Sequence, residues 1–92
     1  MHYVLAYDIV ANRRRARFFK KLKAFLVPVQ KSVFEGPMDA RGLARVEKLI
    51  HSVLDLEEDA VRIYALNKAS VGLTRSYGVQ PDLRDADAPI VL

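Results

Sequence analysis

The chain has 92 residues, a formal net charge of +4 and no cysteine, and 51% of its residues are hydrophobic. This composition excludes an intrinsically disordered protein, a disulfide framework, a cysteine-ligated zinc site and a thiol nucleophile. The chain shows neither a secretory leader nor an apolar run of membrane-spanning length. We therefore expect a single-domain cytoplasmic protein without membrane association.

The N-terminal region predicts a strand, a helix and a second extended segment. Tyr3 to Ile9 is apolar at both alternating sets of positions, which is typical of a central strand. Asn12 is a candidate N-cap for a helix whose apolar residues recur at helical spacing until Pro28 stops it. Val29 to Gly36 is extended again, either as one kinked strand or as two short strands around Lys31-Ser32.

The second half of the chain predicts a helix followed by two strands. Asp39 can cap a second helix, the segment 61–66 alternates as a strand, and 73–77 predicts a weaker strand. The order predicts an α+β, ferredoxin-like (split βαβ) antiparallel sheet with two helices on one face. We assign residues 1–78 to this domain and residues 79–92 to a C-terminal tail with a short docking strand.

A sheet covered by helices on one face leaves apolar side chains on its other face. Burying that face against a second copy would remove it from water, so we expect a face-to-face homodimer. The candidate interface residues are Phe34 (core is the alternative) and the apolar end Ile90, Val91 and Leu92.

Asp8 is the candidate catalytic and metal-binding residue. It shares a strand face with Val4 and Ala6, where a carboxylate is costly unless it is paired, metal-bound or at an open strand end. The alternative is an acid that satisfies the amides of the following helix. Across a dimer axis Asp8 would meet its twin, and two close carboxylates can hold a divalent cation.

The basic residues are concentrated in one stretch without acids. Between Ile9 and Phe34 the chain carries Lys and Arg but no Asp or Glu before Phe34. This one-sided block indicates a polyanionic partner such as a phosphate backbone, with a solvated helix face as the alternative. The candidate nucleic-acid contacts are Arg13, Arg14, Arg15, Arg17, Lys20 and Lys21, together with Tyr7. Arg14 and Arg15 are expected to fan outward, and a core position is the alternative for Tyr7.

Four segments occur in an order and spacing that resemble a known family. They are Tyr7-Asp8-Ile9, the arginines 13–17, Val29-Gln30-x-Ser32-Val33-Phe34-Glu35-Gly36 and Asp59-x-Val61-Arg62-Ile63-Tyr64-x-Leu66. Together they resemble the small second core protein of CRISPR adaptation modules, a family of ferredoxin-like dimers described as metal-dependent endoribonucleases. The resemblance covers roughly residues 3–78.

The resemblance implies a function and a set of roles. Asp8 would bind magnesium or another divalent cation, one carboxylate from each protomer, and Tyr7, the arginines and Phe34 would lie at the nucleic-acid cleft. The dimer would sit between copies of the CRISPR-associated integrase and support insertion of foreign DNA. Two departures weaken the nuclease expectation: Leu26 and Pro28 stand where the family has a glycine and then an arginine, and Ala11 and Asn12 replace an acid after Asp8.

Three functions follow from these observations. The first is a magnesium-dependent endonuclease of RNA or DNA that takes part in CRISPR adaptation. The second keeps the family but makes the protein a non-catalytic, DNA-binding adaptor for the integrase. The third is a ferredoxin-like regulatory or RNA-binding module, which would need stacking aromatic residues on the open sheet face.

Overall fold

The computed structural model describes residues 1–81. The predicted strand over Ile90, Val91 and Leu92 lies outside the described residues. The described part contains four strands and three helices. They are β1 (His2–Asp8), α1 (Asn12–Leu22), β2 (Val27–Gln30), β3 (Val33–Pro37), α2 (Ala40–Val53), β4 (Ala60–Leu66) and α3 (Lys68–Gly72).

The four strands form one antiparallel sheet in the order β2-β3-β1-β4. β1 is central, as its two apolar faces predict, and it pairs with β4 from His2↔Leu66 to Asp8↔Ala60. The extended segment 29–36 resolves into a hairpin of β2 and β3 with an irregularity between Pro28 and Gln30. The predicted α+β, ferredoxin-like architecture is confirmed.

Helices α1 and α2 cover one face of the sheet. The fully buried side chains are Phe18 and Leu22 of α1, Val46 of α2, Leu5 of β1 and Phe34 of β3. Asp39 caps α2 as predicted, because its side chain accepts a hydrogen bond of 2.7 Å from the Gly42 amide. The core therefore lies between the helices and the strand face that carries Leu5.

No helix within residues 1–81 packs over the middle of the opposite face of the sheet. Side chains alternate along a strand and directly paired residues share a face. This open face therefore carries His2, Val4, Ala6 and Asp8 of β1, Val33 and Glu35 of β3, and Arg62, Tyr64 and Leu66 of β4. Most of these side chains are partly exposed, and Tyr64 is 46% exposed.

Three predictions about the elements are wrong. Helix α1 ends at Leu22 and not at Pro28, which lies in β2, because the amides of Ala24 and Phe25 form turn hydrogen bonds that end the helix earlier. Residues 73–77 do not form a strand, because Asn67 caps the short helix α3 and the amides of Leu73 and Thr74 donate to carbonyl oxygens of that helix. Asn12 is not the N-cap of α1 but its first residue, and Ala11 precedes it without a side-chain cap. Within residues 1–81, no helix combines the length and apolar character needed to span a bilayer.

Candidate functional site

Asp8 stands at the exposed end of β1 on the open sheet face. It is the last residue of the ladder with β4, opposite Ala60, and its side chain is exposed. The amides at the start of α1 receive no side-chain cap, so the alternative of a helix-capping acid does not describe Asp8. Among residues 1–81, no described side chain hydrogen-bonds to its carboxylate. Asp8 is therefore an accessible carboxylate at an open strand end.

Arg14 is held by acids from the other half of the chain. Its Nε donates to Oδ2 of Asp59 at 2.8 Å, and its Nη2 donates to Oδ1 of Asp59 at 3.1 Å and to Glu58 at 3.0 Å. These hydrogen bonds raise the pKa of Arg14 further above its ordinary value. Arg14 does not fan outward as predicted, because a buried carboxylate and an exposed one hold its guanidinium in place.

Asp59 is buried and accepts hydrogen bonds from three segments of the chain. Besides Arg14, the amides of Val10 and Asp55 each donate to its carboxylate at 2.9 Å. The hydrogen bonds from Arg14 above all, supported by the two amides, hold the pKa of Asp59 well below its ordinary value although its burial acts in the opposite direction. Asp59 thus stays ionised in the interior next to the end of β1.

Arg15 binds the main chain of the loop between β1 and α1. Its Nε and Nη2 donate to the carbonyl oxygen of Ile9 at 3.2 and 2.7 Å, and Nη2 also donates to that of Val10 at 3.2 Å. Its Nη1 donates to the side-chain oxygen of Asn12. Arg15, like Arg14, therefore contacts its own protein rather than fanning outward.

The remaining basic residues of α1 are exposed on the helix layer. Arg13 lies at the first turn, and Arg17, Lys20 and Lys21 line a shallow groove of about 660 Å³ between α1 and α2. The other lining residues are Ala24, Phe25 and Leu49, which form an apolar floor. The basic groove and Asp8 therefore belong to opposite layers of the domain.

Tyr7 and Phe34 are core residues in the described chain. Tyr7 is 6% exposed, packs edge-on against Phe18 with 5.3 Å between ring centroids, and donates its hydroxyl to the Lys31 carbonyl at 3.1 Å. Burial raises the pKa of Tyr7, and the charge of Arg15 partly opposes the shift. Phe34 is fully buried. The core alternatives thus describe both residues, because their rings face the helices and neither presents a surface for stacking or docking.

The donor set for a divalent cation is incomplete among the described residues of one protomer. Residues 1–81 contain no cluster of three or more His, Asp or Glu side chains that could hold a metal ion. Mg²⁺ needs only one or two carboxylates and completes its shell with water. The exposed Asp8 supplies one such carboxylate, and a second Asp8 from another protomer would supply the other.

Two contacts between an acid and a basic side chain were not predicted from the sequence. They join Arg14 to the buried Asp59, and the buried His2 to Glu35, with His2 Nε2 3.1 Å from a carboxylate oxygen of Glu35. Arginines at a helix start oppose the helix dipole unless an acid offsets them, but the sequence does not indicate which acid does so. Nothing local signals either pair, because the partners lie 45 and 33 residues apart.

The chain and its fold have counterparts in known proteins. The family model for CRISPR associated protein Cas2 matches residues 1–72. A relative from Chloroflexus aurantiacus, called CRISPR-associated endoribonuclease Cas2 3, is 37% identical over 79 residues, which cover 86% of this chain and 85% of the relative. A hypothetical protein from Thermus thermophilus has a similar crystal structure, with a TM-score of 0.77 and 38% identity over 87% of this chain and 93% of that one.

A chain in a structure of a partial Cas6-RT-Cas1–Cas2 complex is also similar. It aligns with a TM-score of 0.71 and 29% identity over 82% of this chain and 88% of that one. These likenesses span most of each partner, and the family match covers most of this chain. The chain belongs to the CRISPR associated protein Cas2 family, which confirms the resemblance seen in the sequence.

Proposed function

We propose that this protein takes part in CRISPR adaptation as a homodimer that binds nucleic acid and cleaves phosphodiester bonds with a divalent cation at Asp8. The observation that carries the proposal is an exposed carboxylate at the end of β1 on the open sheet face, in a chain of the Cas2 family. Curated relatives called endoribonucleases support the reaction class. The Cas1–Cas2 complex with a similar chain supports a Cas1 integrase as partner.

The homodimer would join the two open sheet faces. That face exposes part of Val4, Val33 and Tyr64, which a second copy would cover. Since Asp8 lies at the rim of the same face, a twofold axis that passes close to this rim would bring two Asp8 residues to one cleft. The cleft would be the active site, shared between protomers.

The residues of the chain divide the work in this cleft. The paired Asp8 carboxylates would anchor the cation, which supplies polarisation of a phosphoryl oxygen and a more acidic bound water. The exposed Arg13 would contact phosphates near the cleft, and Arg17, Lys20 and Lys21 would hold the backbone of a longer nucleic acid along α1. Such contacts position the substrate without reading its sequence.

The test compares wild type with Asp8→Asn, which keeps the size of the side chain and removes its charge. End-labelled single-stranded RNA and duplex DNA are incubated with each protein in Mg²⁺ and in chelator. We expect the substitution to lower the cleavage rate about 100-fold or more, since the cation would lose its anchor. Glu47→Gln, an exposed acid of α2, is the matched control and should cleave like wild type.

Cleavage by Asp8→Asn at the wild-type rate would contradict a catalytic cation site at Asp8. A second function is favoured by two observations: residues 1–81 of one protomer do not complete a metal site, and Arg14 and Arg15 are engaged by hydrogen bonds within the protein, which withdraws two cations from substrate. In that case the protein is a DNA-binding adaptor for the integrase. The adaptor predicts that wild type does not cleave but still binds duplex DNA and co-purifies with Cas1.

A further inference from the structure

Asp59 lies next to the place where the main chain leaves β1, directly after Asp8. The ladder between β1 and β4 ends at the pair Asp8↔Ala60, and Asp59 directly precedes Ala60. Its side chain has no exposed surface. Asp59 therefore sits beyond the last strand pair, where the sheet no longer constrains the backbone.

Beyond the last strand pair, hydrogen bonds to the Asp59 carboxylate hold the main chain in place of the hydrogen bonds of the sheet. It accepts the Val10 amide from the loop after Asp8, the Asp55 amide from the loop after α2, and two donors of the Arg14 guanidinium from the first turn of α1. Four donors fill the acceptor capacity of both oxygens. One side chain thus joins the two loops and the helix start that flank Asp8.

Arg14 is what makes this arrangement possible. A buried carboxylate is costly unless an opposite charge and hydrogen bonds compensate it, and the two-point contact of Arg14 supplies both in a fixed orientation. Arg15 completes the support by binding the carbonyl oxygens of Ile9 and Val10. Arg15 therefore binds the loop after Asp8 directly, and Arg14 binds it through Asp59.

We propose that Asp59, bridged to Arg14, is a positioning residue that fixes the loop after Asp8 and thereby the direction of the Asp8 carboxylate. The proposal rests on the proposed function, because a cation shared between protomers needs two carboxylates at a constant separation. Asp59 touches neither cation nor substrate. It acts through the Val10 amide, two residues from Asp8.

The experiment uses the full-length protein and three single substitutions. Asp59→Asn removes the charge, Arg14→Lys keeps the charge but loses the two-point geometry, and Glu58→Gln is the control that removes only the exposed partner of Arg14. The first readout is hydrogen exchange of the Val10 amide relative to that of Leu5, which lies in the central strand. The second is Mn²⁺ binding, followed by the paramagnetic resonance of free Mn²⁺, together with the cleavage rate.

We expect Asp59→Asn to speed Val10 exchange about tenfold or more while Leu5 is unchanged. Mn²⁺ affinity and cleavage should fall about 10- to 100-fold, as is usual for residues that orient a metal ligand. Arg14→Lys should give a smaller effect of the same kind, and Glu58→Gln should match wild type. Arg14→Lys carries the test if Asp59→Asn does not fold.

Faster Val10 exchange with wild-type Mn²⁺ binding and cleavage would overturn the positioning role. Failure of the proposed function is seen separately, as wild-type protein that neither binds Mn²⁺ nor cleaves. In that case the carboxyl ¹³C chemical shift of Asp8 tests the positioning role of Asp59. A chemical shift that changes in Asp59→Asn and not in Glu58→Gln supports that role. An Asp8 shift that stays constant in both variants contradicts it.

Discussion

At the scale of single residues, neighbouring side chains around the end of β1 have opposite surroundings. Asp8 is exposed, whereas Tyr7 before it and Ile9 after it are buried under the helices. Arg13 is exposed, whereas Arg14 and Arg15 are bound to their own chain. A difference of one position therefore separates residues that can meet a ligand from residues that hold the fold.

The buried charge of Asp59 predicts how stability depends on acid pH. Because its folded-state pKa is held below the unfolded value of about 4, the pair with Arg14 stabilises the fold fully above that value and loses its effect as pH falls toward the lowered pKa. We expect wild type to lose stability as the pH is lowered below about 4, and Asp59→Asn to be less stable at pH 7 with a flatter profile there.

Urea unfolding at pH 7, 5, 4 and 3 measures this dependence. The control is Asp55→Asn, an exposed acid of the same loop. Equal slopes of unfolding free energy against pH for wild type and Asp59→Asn in the acid range would show that Asp59 is not the linked group.

At the scale of elements, α1 has side chains that hold the fold and side chains that are exposed to solvent. Its first turn ties the helix to the loops around Asp8, and its buried residues Phe18 and Leu22 fill the core. Its later basic residues line the groove with α2 instead. That later part, together with the exposed Arg13, carries the charge of α1 that can meet a polyanion.

The groove predicts a measurable dependence of DNA affinity on salt. Neutralising Arg17, Lys20 and Lys21 together as glutamines should lower the slope of log affinity against log salt by about 2 to 3, since each phosphate contact releases about one counterion. Gel-shift or fluorescence titrations of duplex DNA at several salt concentrations give the slope. Lys68→Gln with Arg75→Gln, two exposed cations near α3, is the control and should change it less.

An unchanged slope in the triple variant would place phosphate contact elsewhere on the protein. Arg14→Gln distinguishes the two halves of the helix. Because Arg14 is engaged by Asp59 and Glu58, its loss should clearly lower the free energy of unfolding. The same substitution should change the slope of log affinity against log salt only slightly.

At the scale of the whole molecule, the open sheet face is the surface that a second copy would use. Val4 lies in the middle of that face on the central strand, and its side chain is partly exposed. Val4→Glu should raise the dimer dissociation constant about 100-fold or more, because a dimer would bury an unpaired charge at its centre. The same side chain can reach water in the monomer, so the fold should persist.

Sedimentation velocity over a range of protein concentrations measures the dimer, and circular dichroism checks the fold. Leu56→Glu is the control, since Leu56 is a half-exposed apolar residue in the loop after α2 and not on the open face. Wild-type protein that sediments only as a monomer at micromolar concentration would remove the basis for a cation shared between two Asp8 residues.

The sequence by itself determined the family and most of the elements. The apolar run of β1, the helical spacing in α1 and α2 and the cap at Asp39 are local effects, and each predicts its element without reference to the rest of the chain. The four segments around Asp8, Arg13–Arg17, Val29–Gly36 and Asp59–Leu66 likewise carry the resemblance in their own spacing. Asp8 could be singled out because a carboxylate among apolar strand residues is conspicuous in any context.

Only the tertiary structure decided which of these residues are exposed and which are engaged by other parts of the protein. Both faces of β1 are apolar, so the sequence could not tell that Tyr7 turns toward the helices and Asp8 toward the open face. Arg14 and Arg17 have the same chemistry, but Asp59 approaches from 45 residues away and engages Arg14. The physical reason is that burial and charge pairing depend on contacts between distant segments, which local spacing does not encode.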